Sequence, residues 1–456
     1  YVQNVGERLA NQARRKDELD FEFSVLNHST PNAWALPGGK IVINRGLLTD
    51  LYSEAELAAV LGHEIVHADA AHGARAQSKG MLTQIGAVAT QIILSSTIDN
   101  DAAREVGMML PAVGAQLLTQ KYGRDAERES DEYGMLYMSE AGYDPQGAVE
   151  LQETFVKLSE GRNQDWMSGL FASHPPSPER VRNNIKTASE LPQGGEMGRE
   201  QDQAKTAFLR RVKPAYDAFD EANQALNDED LGLAQRKLNE AMAIEPRESM
   251  FYGLQGDIHA LNDDTSRALR SYRTAVEKNP DFFYGYLRKG QVEYELREYA
   301  QARKDLSYSL ELMPTAEAHY LLGKMDQDKG QMGSAIEHFK TAAQSESPAG
   351  QKAGRELILI DLPANPSRYI GSRAAVDHNN NVWVQFGNLT QVDMKDVRVS
   401  YAWLDEQGRT REGQTSFRGT LKGGEQGQIK LGIRLNDPNE LNQRVRVTIT
   451  AATVAV

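Results

Sequence analysis

Residues 57–73 read LAAVLGHEIVHADAAHG, and their centre, His63-Glu64-Ile65-Val66-His67, decides how the N-terminal part of the chain is read. A helix through this stretch has a start written in the sequence. Ser53 followed three residues on by Glu56 is a capping box, so the helix should begin near Glu54. Leu57, Val60 and Leu61 give it an apolar face. His63 and His67 stand four apart, so both imidazoles project from one face within reach of a single ion. Glu64 lies about 100° further round the helix, where its carboxylate reaches an activated water without binding the metal. That is the physical sense of the HExxH spacing: zinc lowers the pKa of the water, and the glutamate takes its proton as it attacks a carbonyl. The bland reading is a helix that merely contains two histidines. With nine histidines in the chain, the motif arises at random positions with a chance on the order of 1 %. Alone it does not decide the matter, and a third ligand is required.

The stretch YGRDAERESDEYGMLYM, residues 122–138, offers one. Glu127 and Asp131 are again four apart on a helix face. One carboxylate can bind zinc while the other accepts a ring N–H from a ligand histidine. Without the HExxH motif this segment would read as a solvated acidic helix. Further on, FASHPPSPERVRNN places His174 in a loop, then Ser177 and Pro178 as N-cap and first residue of a helix, with Arg180 in its first turn. A lone loop histidine is ordinarily a surface residue. Ahead of the catalytic helix, AWAL and KIVIN read as strands of a hairpin turned by Pro37-Gly38-Gly39. Its edge near Asn32, Ala33 and Trp34 suits strand addition by an extended substrate. The equally weighted alternative is a hairpin that only supports the helix.

Composition narrows the chemistry. The chain of 456 residues is too long for one core. Its formal net charge of −13 argues against a nucleic-acid binder, which needs a basic face. There are no cysteines, so any metal is held by His, Asp or Glu. No stretch is apolar enough for a transmembrane helix. The nearest, GMLTQIGAVATQIILSSTI at 80–98, carries Gln84 and Gln91. Residues 80–120 read instead as a helical hairpin, placed to cover the cleft, rest on the repeats or make peripheral contact with a membrane surface.

Beyond residue 200 the pattern changes twice. Pro246, Pro280, Pro314 and Pro348 recur every 34 residues. Ahead of the first three stand Ala234, Leu238 and Ala241; Ala268, Tyr272 and Ala275; Ala302, Leu306 and Ser309. Ala222, Gly256 and Gly290 lie twelve residues before these trios, and the last unit carries Gly323, Ala335, Phe339 and Ala342. A 34-residue period with small–large–small spacing predicts tetratricopeptide repeats, pairs of antiparallel helices that stack into a solenoid and bind proteins or peptides. From about residue 373 short segments alternate with period two, as in Val397, Val399, Tyr401 and Trp403 or Val445, Val447 and Ile449. That predicts an antiparallel, immunoglobulin-like β-sandwich. The boundary falls in the Pro- and Gly-rich stretch DLPANPSRYIGSR, residues 361–373.

Taken in order, NAWALPGG, HEIVH, ERESD and SHPPSPER resemble the zinc metallopeptidase family of the CAAX prenyl proteases and HtpX. The likeness is to its soluble periplasmic branch, in which the peptidase precedes tetratricopeptide repeats. The resemblance implies one Zn2+ per chain on His63, His67 and Glu127, Glu64 as general base, and Asp131 in the shell behind the ligands. It implies that His174 lies near the metal, either as a fourth ligand that plugs the site or as support for the transition state, with Arg180 beside it. The family often has alanine where Ser130 stands, and the 373–456 sandwich has no counterpart in that branch. The expected architecture is a mainly α zincin-like metallopeptidase domain with a small sheet (1–195), a repeat solenoid (201–350) and a sandwich (373–456). The expected function is a periplasmic zinc endopeptidase acting on protein or peptide substrates in envelope quality control, with the repeats contacting clients or assembly machinery. The alternative is a chaperone or assembly scaffold with a latent, self-inhibited metal site.

Overall fold

The capping box forms as the sequence predicts. Ser53 Oγ accepts from the Glu56 amide and the Glu56 carboxylate accepts from the Ser53 amide, each at 3.1 Å. It opens the HExxH helix at Glu54. In the computed structural model, which describes residues 1–71, 123–159 and 178–455, this helix runs Glu54–Asp69. The expected hairpin at 80–120 falls outside the described residues, as do His174 and Ser177. Because Ser53 is fully buried, losing its hydroxyl should cost about 1 kcal/mol. Ser53→Ala should therefore lower the melting temperature by a few degrees, measurable by calorimetry.

The chain divides into two compact units, residues 1–289 and 290–456. In the first, α1 (Val2–Ala10) is followed by β1 (Glu22–Leu26), β2 (Ala33–Leu36), β3 (Lys40–Asn44), α2 (Arg45–Asp50) and α3 (Glu54–Asp69). The strand order is β1-β3-β2. The β2–β3 pair is the expected antiparallel hairpin, with Ala33 opposite Ile43 and Leu36 opposite Lys40. β1 adds in parallel to β3 from a distant stretch. After α3 come α4 (Arg124–Glu140), α5 (Gln146–Ser159) and α6 (Pro178–Glu190). Helix α3 is not apolar along one stripe only. Leu57, Ala58, Val60, Leu61 and Ile65 are all buried, because α1, α4, α5 and the sheet surround it. A helix covered on every side has little freedom to shift, which suits one that carries two ligands.

The same unit continues into helices Arg199–Asn227, Leu231–Ile244, Ser249–Leu261 and Thr265–Lys278. The first is tied to the peptidase part by Arg210, which donates to the Thr49 carbonyl at 3.0 Å, and by Arg45, stacked 3.7 Å over the Tyr216 ring. Asp230 and Asp264 cap two of the helices. The small residues of the period have a visible purpose. A Cβ on Gly256 would sit 2.3 Å from the Tyr272 ring. In the second unit, a Cβ on Gly323 would sit 2.7 Å from Phe339. Each glycine lets the paired helix lay a large side chain on its backbone.

The second unit contains helices Tyr299–Leu312, Ala316–Asp328, Met332–Ala342 and Pro348–Asp361, then two antiparallel sheets. One is ordered β4 (Ile370–Val376), β5 (Asn381–Asn388), β8 (Gln426–Arg434). The other is ordered β7 (Thr410–Phe417), β6 (Met394–Leu404), β9 (Val445–Val454). Val384, Phe386, Val397, Val399 and Ile449 share one core. Within the stretch 361–373, a turn at Pro366–Arg368 leads straight into β4 at Ile370. No helix of the described residues is long and apolar enough to cross a membrane.

Candidate metal centre

Helices α3 and α4 touch backbone to backbone. A Cβ on Gly62 would lie 2.9 Å from the Gly134 carbonyl oxygen, and one on Gly134 would lie 2.9 Å from the His63 amide nitrogen. Only glycine fits both positions. This contact sets the HExxH motif against Glu127 and Asp131, and no motif in the sequence marks it.

His63 and His67 present their Nε2 atoms to each other at 3.0 Å. Glu127 on α4 faces both, with Oε2 3.6 Å from His63 Nε2 and Oε1 3.4 Å from His67 Nε2. All three donors lie within 4.8 Å of one another, and theirs is the one cluster of three or more His, Asp or Glu donors among the described residues that could hold a metal ion. Tetrahedral zinc with N and O ligands at about 2.0–2.2 Å sets its ligand atoms roughly 3.3–3.5 Å apart; the edges of 3.0, 3.4 and 3.6 Å, the last two to different Glu127 oxygens, bracket that spacing. His67 and Glu127 are almost fully buried, which keeps competing water away. Glu64, 2 % exposed, lines a pocket beside His63 with Ala33 of β2.

The residues behind the donors fix them. His63 Nδ1 lies 3.0 Å from Asp131 Oδ1, so it donates there and leaves Nε2 for the metal. Arg180 of α6 grips Asp131 through two nitrogens at 2.7 Å each and Glu127 through Nη1 at 2.8 Å. Burial pushes the Asp131 carboxyl up, but the Arg180 and His63 hydrogen bonds outweigh it and hold the pKa below the usual range. Burial lowers the basicity of His63, but the bond to Asp131 and the charge of Glu127 outweigh it, and its pKa rises. Arg180 was expected beside His174, which lies outside the described residues. Its guanidinium is taken up by two carboxylates, which offsets their mutual repulsion. Asn32, the residue just ahead of β2, is buried, as are Ala33 and Trp34 at the start of that strand. Among the described residues β2 pairs only with β3. Sequence reasoning missed Gly62, Gly134 and, one helical turn after Arg180, Asn184, which reaches the pocket beside Glu64.

Two histidines and a glutamate on facing helices, with a second glutamate next to the first histidine, define the class of HExxH metallopeptidases. The comparisons with known proteins agree. The model of peptidase family M48 matches residues 1–187, and the tetratricopeptide-repeat model matches 256–315 and 287–350. The metalloprotease YcaL of Escherichia coli (strain K12) is 30 % identical over 181 residues, 39 % of this chain and 67 % of that one. The chain belongs to peptidase family M48. The beta-barrel assembly-enhancing protease of Escherichia coli (strain K12) is 24 % identical over 392 residues, covering 75 % of this chain and 79 % of that one. The mitochondrial metalloendopeptidase OMA1 of Arabidopsis thaliana is 33 % identical over 164 residues, 36 % of this chain. The chain spans 31 % of that plant relative's length.

Replacing Asp131 by asparagine keeps its shape but removes the charge that orients His63 and anchors Arg180. Metal affinity should fall on the order of 10–100-fold, read by competition with a chromophoric chelator. An unchanged affinity would remove Asp131 from the site.

Proposed function

We propose that this chain is a zinc-dependent endopeptidase that cleaves protein clients. Residues 1–195 form the peptidase domain, 201–350 the client- or partner-binding repeats, and 373–456 an accessory sandwich. The observation that carries the reading is the convergence of His63, His67 and Glu127 with Glu64 beside them on a buried, tightly held helix. His63, His67 and Glu127 hold the metal, and Asp131 and Arg180 position them. When bound, zinc supplies Lewis acidity for water activation and carbonyl polarisation. Glu64 takes the proton from the attacking water and passes it to the departing amine. The edge of β2 near Asn32, Ala33 and Trp34, unpaired among the described residues, pairs with the client backbone, which lets the site act on extended segments of differing sequence.

The repeats bind clients or partners, as such solenoids do. Likeness to a protease named for β-barrel assembly supports a place in envelope protein quality control, in the periplasm. His174 plugs the metal until a client displaces it, and His174→Ala then raises basal proteolysis. The deciding experiment is metal analysis of purified protein together with casein cleavage. Wild type should carry about one zinc per chain and cut casein, and His67→Ala should do neither. Equal zinc in the two proteins would sink the assignment.

A further inference from the structure

The pocket beside Glu64 has a volume of about 50 Å3. Most of its wall is apolar, with Val60, Met135, Met138, Leu151 and Phe155 among the lining residues. Polar groups make up the remainder. Ser130, Gln152 and Asn184 also line it, and they are 0 %, 7 % and 3 % exposed. Among the described residues, the Ser130 hydroxyl and the Asn184 amide oxygen are buried with no hydrogen-bond partner. Folded proteins satisfy nearly all such atoms, so each exception needs an occupant or a role. Asn184 does not stray there by chance of rotamer alone. It follows Arg180 by four residues on α6, so both lie on one face, and the Arg180 fork onto Asp131 locks that face toward the site.

We propose that this pocket receives the side chain of a client residue next to the scissile bond and selects serine, threonine or asparagine there, with Asn184 as the specificity-determining residue. The inference rests on the peptidase reading. Size sets the upper bound, since about 10–15 Å3 of such space holds one water-sized group and the pocket takes roughly four. Lysine, arginine and the aromatic residues are too large. A carboxylate would face Glu64 and Asp131, which line the same space. Leucine or valine would fit by volume but leave the Asn184 amide and Ser130 hydroxyl unpaired, the situation by which sites reject apolar analogues most strongly. A hydroxyl or carboxamide both donates and accepts, so it satisfies the Asn184 amide in either orientation.

The test uses the zinc-loaded full chain and peptides matched except at one position flanking the cut, the position itself being located by mass spectrometry of a peptide-library digest. Wild type should cleave the asparagine or threonine peptide with kcat/KM at least about tenfold above the leucine peptide. Asn184→Leu should reverse that order, and Gln152→Leu should weaken it. The same preference for aliphatic residues in wild type and Asn184→Leu would overturn the proposal. Binding of the matched peptides to zinc-loaded Glu64→Gln, followed by fluorescence anisotropy, separates this from the peptidase reading. Selective binding of the asparagine peptide without cleavage by wild type would support the pocket and defeat the enzyme. Binding with no discrimination would defeat the pocket, leaving it a water-filled cavity.

Discussion

Glu64→Gln protein should keep its metal and lose its turnover. Glutamine matches glutamate in shape, so the buried site, where Glu64 is 2 % exposed, is not reshaped. The donors at His63, His67 and Glu127 are untouched, and zinc content should equal that of wild type. What disappears is the basic oxygen that removes the proton from the attacking water. A positioned general base contributes about 10²–10⁴-fold, so kcat should drop by that factor. KM should stay near its wild-type value, because Glu64 acts on the reacting proton and not on the client's resting contacts. His67→Ala should fail differently, losing metal and activity together. Measuring zinc by mass spectrometry and kcat on one peptide for all three proteins separates the roles. If Glu64→Gln retained turnover within about tenfold of wild type, the general base would have to be sought elsewhere.

What could be read from the sequence was what local spacing encodes. The capping box Ser53/Glu56, the i,i+4 pairs and the hairpin turn at Gly38 and Gly39 are each set by a few neighbouring residues, and each stands where it was expected. The 34-residue period was legible because it repeats, and Gly256 under Tyr272 gives its physical cause. Contacts between distant segments left no such trace. β1 joins β3 in parallel, a pairing that nothing within EFSVL announces. β7 is polar and largely exposed, so TREGQTSF lacks the alternation that marks β6 and β9. Arg180 could be placed near the site, but its grip on Glu127 and Asp131 depends on how α6 packs. In the sequence Asn184 is one polar residue among several in PERVRNN, and only its burial in the fold gives it meaning.

Gly134→Ala should both destabilise the fold and weaken the metal site. Two terms oppose each other. Alanine is the better helix former by about 1 kcal/mol, which favours the variant in an open helix. Against this, the new Cβ would lie 2.9 Å from the His63 amide nitrogen and 3.0 Å from the Gly62 carbonyl carbon. These are backbone atoms of a helix buried on all sides, and no side chain can rotate away. Overpacking of this kind costs about 1–3 kcal/mol, so it wins, and α3 and α4 must part. The atoms that move include the backbone of His63 itself, while Glu127 sits two turns earlier on the displaced helix. The ligand edges of 3.4 and 3.6 Å should lengthen, and zinc affinity should fall along with the melting temperature. Gly354→Ala is the control. Gly354 lies in helix Pro348–Asp361, where a Cβ meets only the Ala343 methyl at 3.8 Å. There the propensity term stands alone, and the variant should be as stable as wild type or more so. Calorimetry of both variants with and without chelator reads the outcome. A Gly134→Ala protein as stable and as zinc-replete as Gly354→Ala would show that the close approach of the two helices is not what builds the site.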